Sequence, residues 1–477
     1  MNWNQLLCEQ RQCPSKKRNT DERNEFQRDY HRIVGSASFR RLQDKTQVFP
    51  LDKSDFVRTR LTHSIEVSSF AKSLGQTCFL WLKNNAPDRP DLPTDAQIGE
   101  IANILECAGL IHDIGNPPFG HFGETSVRNW FSENMSSLCC GAVPVELMLT
   151  DRMKNDLLFF EGNAQALRLL TKLHYLVDDK GMHLTYALLN TIIKYPVDSC
   201  SINKSSGNIK DKKLGYYLAE EELFRQITDA TGAHGMRYPL VYLLEAADDI
   251  AYGTADIEDA VKKGFLSYEN LLEELKSERY LSRIESDNER RAYNAAVEKL
   301  SAKYENAKLR GVSDPKLNAV QNWIIYMQNI FINSARFGFT SNYGDIMNGS
   351  FTREIIQSPG CQADTLMFAL KDIATRYVFQ SSHIIKMEIS ANTIINFLLS
   401  TFIPAAVKYD TDEKLSSVEE RLISVISRNY LMAYNTAAQG KNDCERLYLR
   451  LLLVTDYICG MTDSYAKNLY QQLNGIY

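Results

Sequence analysis

The chain has 477 residues, with 54 Lys and Arg against 59 Asp and Glu and a net charge of −5. That length excludes a single small core and calls for two or three lobes, or one large helical domain with insertions. The slight negative charge excludes a generally basic nucleic-acid coat and leaves local basic patches open. No apolar run of about 18 residues occurs, so no membrane span is expected. The N-terminus, MNWNQLLCEQRQCPSKKR, lacks the shape of a signal peptide. The ten cysteines form no CxxC pair, and Cys139 and Cys140 are adjacent. We read them as reduced thiols of a cytoplasmic protein.

In chain order, FRRLQDKTQVFPLDKSDFVRTRLTHS gathers Arg40, Arg41, Lys45, Lys53, Arg58 and Arg60. Lys45–Phe49 reads as a possible short strand. Residues 61–82 carry Ile65, Phe70, Leu74, Cys78 and Leu82 on a helical stripe. Residues 84–95 read as a loop. Residues 98–111 place Ile98, Ile101, Ala102, Leu105, Ala108 and Leu110 at helical spacing, and Gly115 with Pro117-Pro118 stops that helix. Residues 132–156 and 196–213 read as further loops, the second polar and a candidate for mobility. Residues 239–251 open a helix on proline, whose missing N–H costs little there. Residues 268–308 read as an exposed helical pair or inserted arm. Residues 364–402 and 413–472 add helices, including the apolar run Leu447–Ile458. The fold class is therefore all-α, a helical bundle core with helical additions.

The chemistry concentrates in the thirteen residues HDIGNPPFGHFGE, from His112 to Glu124. His112 and Asp113 are adjacent, so on a helix they diverge by about 100° and share one ion only at the helix end. His63 is a candidate partner. Asp248 is another, because it shares an apolar stripe with Leu240, Leu244 and Ala251, and a buried carboxylate needs a partner. Two imidazoles and two carboxylates suit Mn²⁺, Fe²⁺, Co²⁺, Ni²⁺ or Zn²⁺ with open positions, and the lack of cysteine ligands argues against a closed structural zinc site. His121 and Glu124, three apart, face together on a helix, an arrangement that orients an imidazole for proton transfer. Arg60, three before His63, lies on the same side for pairing with a phosphate. Lys194-Tyr195 sits where a helix meets a proline, and Asp248, Tyr252 and Asp256 line one helix face.

The strings FRRLQDKTQVFPL, RTRLTHSIEV, HDIGNPPFGHFGE, FEGNAQALRLL, EAADDIAYGTADIEDA and DYICGMTDSYA resemble the deoxyguanosine triphosphate triphosphohydrolases of the HD-domain superfamily. The likeness runs from about residue 26 to 470, is weakest at 132–156, 196–213 and 268–345, and is nearest to the larger bacterial type. It implies an N-terminal segment 1–25, an HD-domain catalytic core 26–265, a helical insertion 266–345, and a C-terminal region 346–477 completing the pocket or an oligomer interface. It implies hydrolysis of dGTP, and of other dNTPs in a broader reading, to a deoxynucleoside and inorganic triphosphate.

Matched position by position, the resemblance makes His63, His112, Asp113 and Asp248 metal ligands, with Mn²⁺ or Mg²⁺ the first candidates. His121 and Glu124 become the catalytic pair. Gln47 reads the sugar 3′-hydroxyl, Arg60, Lys194 and Tyr195 contact phosphate, Tyr252 lies against the deoxyribose, and Asp256 takes a sugar-side position. The resemblance also implies that single-stranded DNA binding and a homohexamer are compatible with catalysis. Two other classes stay open: another HD-type nucleotide phosphohydrolase, or a DNA-binding regulatory protein.

Overall fold

The computed structural model describes residues 1–13, 22–51, 54, 56–174 and 180–476; Lys53 lies outside them. Among these residues the chain is helical, and the one sheet is the hairpin β1 (Cys139–Cys140) and β2 (Val143–Pro144). The hairpin falls inside 132–156, which is therefore not a plain loop: it also holds short helices at Val145–Met148 and Asp151–Leu158. The strand expected at Lys45–Phe49 reduces to one bridge, Thr46 to Thr59.

Helices α1 (Glu25–Val34), α2 (Arg60–Asn85) and α3 (Asp95–Ile111) begin on capping boxes set by Asn24, Thr59 and Thr94. In each box a side-chain oxygen accepts a first-turn N–H that the helix leaves unpaired. All six apolar positions expected along 98–111 are buried. On α2 the expected stripe holds at Leu74, Cys78 and Leu82, which are buried, and fails at its N-terminal end. Ile65 is exposed, and the buried face runs through His63, Val67, Ala71, Leu74 and Cys78. Helices α2 and α3 cross closely because Gly109 has no side chain: a Cβ there would collide with the Ser68 backbone. That crossing brings His63 and His112 together.

The chain continues through α4 (His121–Asn134), α5 (Gly162–Arg168), α6 (Tyr186–Ile192) and α7 (Pro239–Lys262), the last packed on α2 and α3. Residues 196–213 hold only short turns, Lys204–Ser206 and Ile209–Asp211. They are anchored by the Ile209 N–H on the Thr352 carbonyl at 3.1 Å and by an ion pair of Lys213 with Glu161 at 2.9 Å.

Residues 268–308 keep much of their surface exposed, as expected, and are held to the body through buried Tyr293, Ala296 and Leu300. Helix α8 (Asp287–Leu309) lies on α9 (Pro315–Ser341), and α9 packs on α2 and α7 with Trp323, Met327 and Phe331 fully buried. The N-terminal residues also join the core: Trp3 Nε1 donates to the Tyr343 hydroxyl at 2.7 Å and Trp3 meets Phe79 edge-on at 5.0 Å.

The C-terminal region includes α10 (Asp364–Ala374), α11 (Ser382–Lys408), α12 (Asp443–Cys459) and α13 (Asp463–Leu473), with two shorter helices at Ser417–Val425 and Arg428–Ala437. Helix α11 is long and apolar enough to cross a membrane by length and composition, which the search for a continuous apolar run did not anticipate. It is packed against α4, α12 and α13, with Ile395, Leu398, Leu399, Phe402 and Ile403 fully buried. Half of its apolar stretch is buried in the fold, and each fully buried Leu or Ile contributes about 1.5–3 kcal/mol. All ten cysteines are free thiols.

Candidate active site

The capping box at Thr59 starts α2 so that Arg60 and His63 both fall in its first turn and are buried. His112 is the residue on which α3 ends, and Asp248 comes from the middle of α7. His63 Nε2 lies 3.1 Å from Asp248 Oδ1, and His112 Nε2 lies 3.4 Å from the same oxygen. The two imidazole rings are 5.3 Å apart.

Three donor atoms thus converge within 4.8 Å of one another. His112 Nδ1 is engaged by the Gly109 carbonyl at 2.8 Å, which makes Nδ1 the N–H and leaves Nε2 as a buried lone pair with no hydrogen-bond partner. An orphaned imidazole lone pair beside two further donors, with its other nitrogen fixed by a backbone carbonyl, is the environment of a metal-ligating histidine. The residues present therefore fit a divalent cation, and N/O donors without thiolate leave several first-row ions eligible.

Asp113 stands at the edge of this cluster. Its Oδ2 is 3.6 Å from His112 Nε2 and is ion-paired to the Arg60 guanidinium. Burial works to raise the Asp248 carboxyl, but Lys194 at 3.2 Å, then His112 and His63, outweigh it and hold the group well below the usual carboxylate range. Burial likewise works to lower Lys194, and Asp248 and Glu245 keep it raised and charged. Tyr195 is buried next door, and that burial pushes its phenol up.

Beyond the cluster opens a cleft of about 520 Å³. Of the expected residues, Gln47, Arg60, Asp113, His121, Asp248 and Tyr252 line it, whereas Lys194, Tyr195, Glu124 and Asp256 stand behind its wall. The His121 side chain is 80% exposed and Glu124 only 1%. His121 Nδ1 bonds Glu124 Oε2 at 3.1 Å, and Glu124 Oε1 accepts the Gly162 N–H at 2.9 Å. The Glu124 hydrogen bond raises the imidazole above its ordinary value. Burial works to raise Glu124, but the hydrogen bond and charge of His121, then Lys213 and the Gly162 N–H, prevail and leave its carboxyl lowered. Nε2 of His121 is consequently the nitrogen free to face a ligand.

Gly120, at φ +60°, leads into α4, and a Cβ there would collide with the Arg60 guanidinium. Glycine adopts this left-handed backbone without the strain that a side chain would bring. Tyr252 stacks on Phe379 at 6.3 Å and 13°. Its hydroxyl faces the Asp256 carboxyl, which burial raises well above the usual range.

The sequence did not single out Asn116, Phe119, Asp249, Thr375, Phe379 or Glu388, which also line the cleft. Asp249 is paired at 2.7 Å with Lys371 from α10. Thr375, Phe379 and Glu388 also come from the C-terminal region, and nothing in their local pattern signals a site more than a hundred residues away in the chain. Lys45, grouped with the anion-binding cations, instead points inward. Its Nζ donates to the Asn116 and Cys459 carbonyls at 2.6 and 2.8 Å, and burial lowers it to about 8.

Residues 60–138 match the HD domain and residues 360–472 the phosphohydrolase-associated domain. The first holds His63, His112, Asp113, His121 and Glu124, and the second holds the cleft wall at Thr375–Glu388; together they define an HD-class phosphohydrolase. The chain is 47% identical over 484 residues to a deoxyguanosinetriphosphate triphosphohydrolase-like protein of Listeria monocytogenes, covering all of both chains. It is 34% identical over 483 residues to a like-named protein of Pseudomonas aeruginosa, covering 100% of this chain and 99% of that one. It is 32% identical over 489 residues to a deoxyguanosinetriphosphate triphosphohydrolase of Serratia proteamaculans, covering 94% and 93%. The chain belongs to the deoxyguanosinetriphosphate triphosphohydrolase family.

Proposed function

We propose that the protein hydrolyses deoxynucleoside triphosphates, dGTP first, to the deoxynucleoside and inorganic triphosphate. The observation that carries this reading is that His121 lines the same cleft as Asp248, the carboxylate on which the His63 and His112 imidazoles converge. A cation-binding end, a proton donor beside it and a stacked aromatic pair at 252 and 379 accommodate a triphosphate, a 5′ oxygen and a sugar in that order.

A divalent cation held by His63, His112 and Asp248, with Asp113 alongside, would supply Lewis-acid stabilisation of charge at the α-phosphate and acidify the attacking water. Arg60, which lines the cleft, orients the triphosphate through its oxygens, and Lys194 adds positive charge from behind Asp248. Water forms the new bond to the α-phosphorus, and the bond from phosphorus to the 5′ oxygen breaks. His121, protonated on Nε2 and held through Nδ1 by Glu124, delivers its proton to the departing 5′ oxygen. Tyr252 closes against the ribose and leaves no room for a 2′-hydroxyl, while Gln47 hydrogen-bonds the 3′-hydroxyl. Asp256, its carboxyl raised well above the usual range by burial, backs Tyr252. Glu388, at the cleft wall, offers a carboxylate to the N1–H and amino donors of guanine.

A panel of dNTPs and GTP with Mg²⁺, Mn²⁺ and Co²⁺, its products resolved chromatographically, tests the reading. Intact triphosphate and faster turnover of dGTP than of GTP are expected. Release of pyrophosphate or phosphate would refute triphosphohydrolysis and favour another HD-type activity. Equal rates on GTP would refute the role of Tyr252.

A further inference from the structure

The string DYICGMTDSYA supplies no side chain to the cleft, yet it contacts the cleft from behind. We propose that Asp463 is a positioning residue that holds the segment bearing Gln47 and the loop bearing His121 in register. Its carboxylate is 2% exposed. Oδ2 accepts the Thr46 N–H at 2.9 Å and the Thr46 hydroxyl, while Oδ1 accepts the Phe119 N–H at 2.9 Å. Thr46 and Phe119 both line the cleft. Gln47 follows the first directly, and His121 lies two residues after the second.

Three surrounding contacts show that the carboxylate is aimed. Thr462 caps α13 on the Tyr465 N–H, so Asp463 sits in the first turn, where the helix dipole favours an anion. Ser464 donates to Asp44 at 2.8 Å, and Lys45 bridges Asn116 and Cys459. The turn between α12 and α13 thus grips residues 44–46 and 116–119 together. The grip has something to restrain: Phe119 sits at φ +64°. A non-glycine residue in that region costs about 1–2 kcal/mol and persists only where its surroundings fix it. Asp456, seven residues earlier, is the contrast. It is equally buried but binds Arg168 and Gln165, neither of which lines the cleft.

The test is Asp463→Asn in the full chain. The amide can satisfy one of the two backbone donors and turns N–H against N–H at the other. Hydrogen exchange should quicken in residues 44–48 and 116–122 and stay unchanged elsewhere. On the dNTP that the native protein cleaves best, kcat should fall at least about tenfold, the scale of a small misplacement of reacting groups, with KM changed less. Asp463→Asn should slow the His121→Ala variant by a smaller factor than it slows the native protein.

Unchanged exchange in both segments, or effects of the two substitutions that multiply, would overturn the proposal. Thr46→Val removes one hydrogen bond and leaves the carboxylate, so it repeats the exchange measurement if Asp463→Asn folds poorly. The kinetic arm rests on the proposed dNTP hydrolysis. If the native protein cleaves no dNTP, that reading fails while exchange alone decides the role of Asp463.

Discussion

At the scale of single residues, the pair His121 and Glu124 divides its labour by exposure. Glu124 is buried and anchored by the Gly162 N–H, and it lends its negative charge to an imidazole that stands in the cleft. The raised proton affinity of His121 follows first from that hydrogen bond. An acid that must be protonated to act loses activity as pH rises through its own pKa. Glu124→Gln removes the charge and keeps the shape, so the imidazole should release its proton at lower pH. We expect the descending alkaline limb of the kcat profile to move to lower pH in Glu124→Gln. A limb that stays in place would assign it to a group other than His121.

At the scale of elements, the sequence made the helices legible wherever one face was buried along their whole length, as in α3. It was less legible where burial changes along the helix. On α2 the residue between His63 and Val67 that looked like core, Ile65, is exposed, because the functional turn and the apolar turns share one face. The convergence of His63, His112 and Asp248 was readable because a histidine ending a helix and an aspartate on an apolar stripe both demand partners. The other half of the cleft was not, because Phe379 and Glu388 acquire their role only through tertiary packing. Lys45 shows the same limit: charge type was visible and direction was not.

The cap that starts α2 gives this scale its prediction. Thr59 accepts the Thr62 N–H and also donates its backbone N–H to Thr62 Oγ1. Thr59→Ala should cost about 1 kcal/mol, the usual worth of such a cap. Because Arg60 and His63 occupy that first turn, fraying should also weaken cation binding. Chemical denaturation together with a Co²⁺ titration checks both. A stability loss with unchanged Co²⁺ affinity would show that His63 is held by its neighbours rather than by the helix start.

At the scale of the molecule, the C-terminal region contributes structure as well as cleft wall, and Arg168 is where that connection is most strongly charged. The side chain is 3% exposed. From the end of α5 it grips both oxygens of Asp456 on α12, at 2.7 to 3.0 Å, and Glu220 at 2.8 Å. Removing one partner of a buried ion pair leaves the other charge uncompensated and costs about 3–5 kcal/mol, whatever the net worth of the intact pair. Arg168→Met preserves much of the volume and deletes the cation.

Burial already raises the Asp456 carboxyl, and Arg168 is the main group opposing it. Without Arg168 the folded pKa rises further above the unfolded one, so the folded state binds this proton more tightly and gains stability as pH falls through the folded value. The urea midpoint of Arg168→Met should therefore lie well below that of the native protein at pH 8, with the gap narrowing toward pH 5. The second substitution Asp456→Asn should recover part of the loss at pH 8 and flatten its pH dependence. A gap that stays constant with pH in the single variant would mean that lost packing, rather than stranded charge, sets the cost.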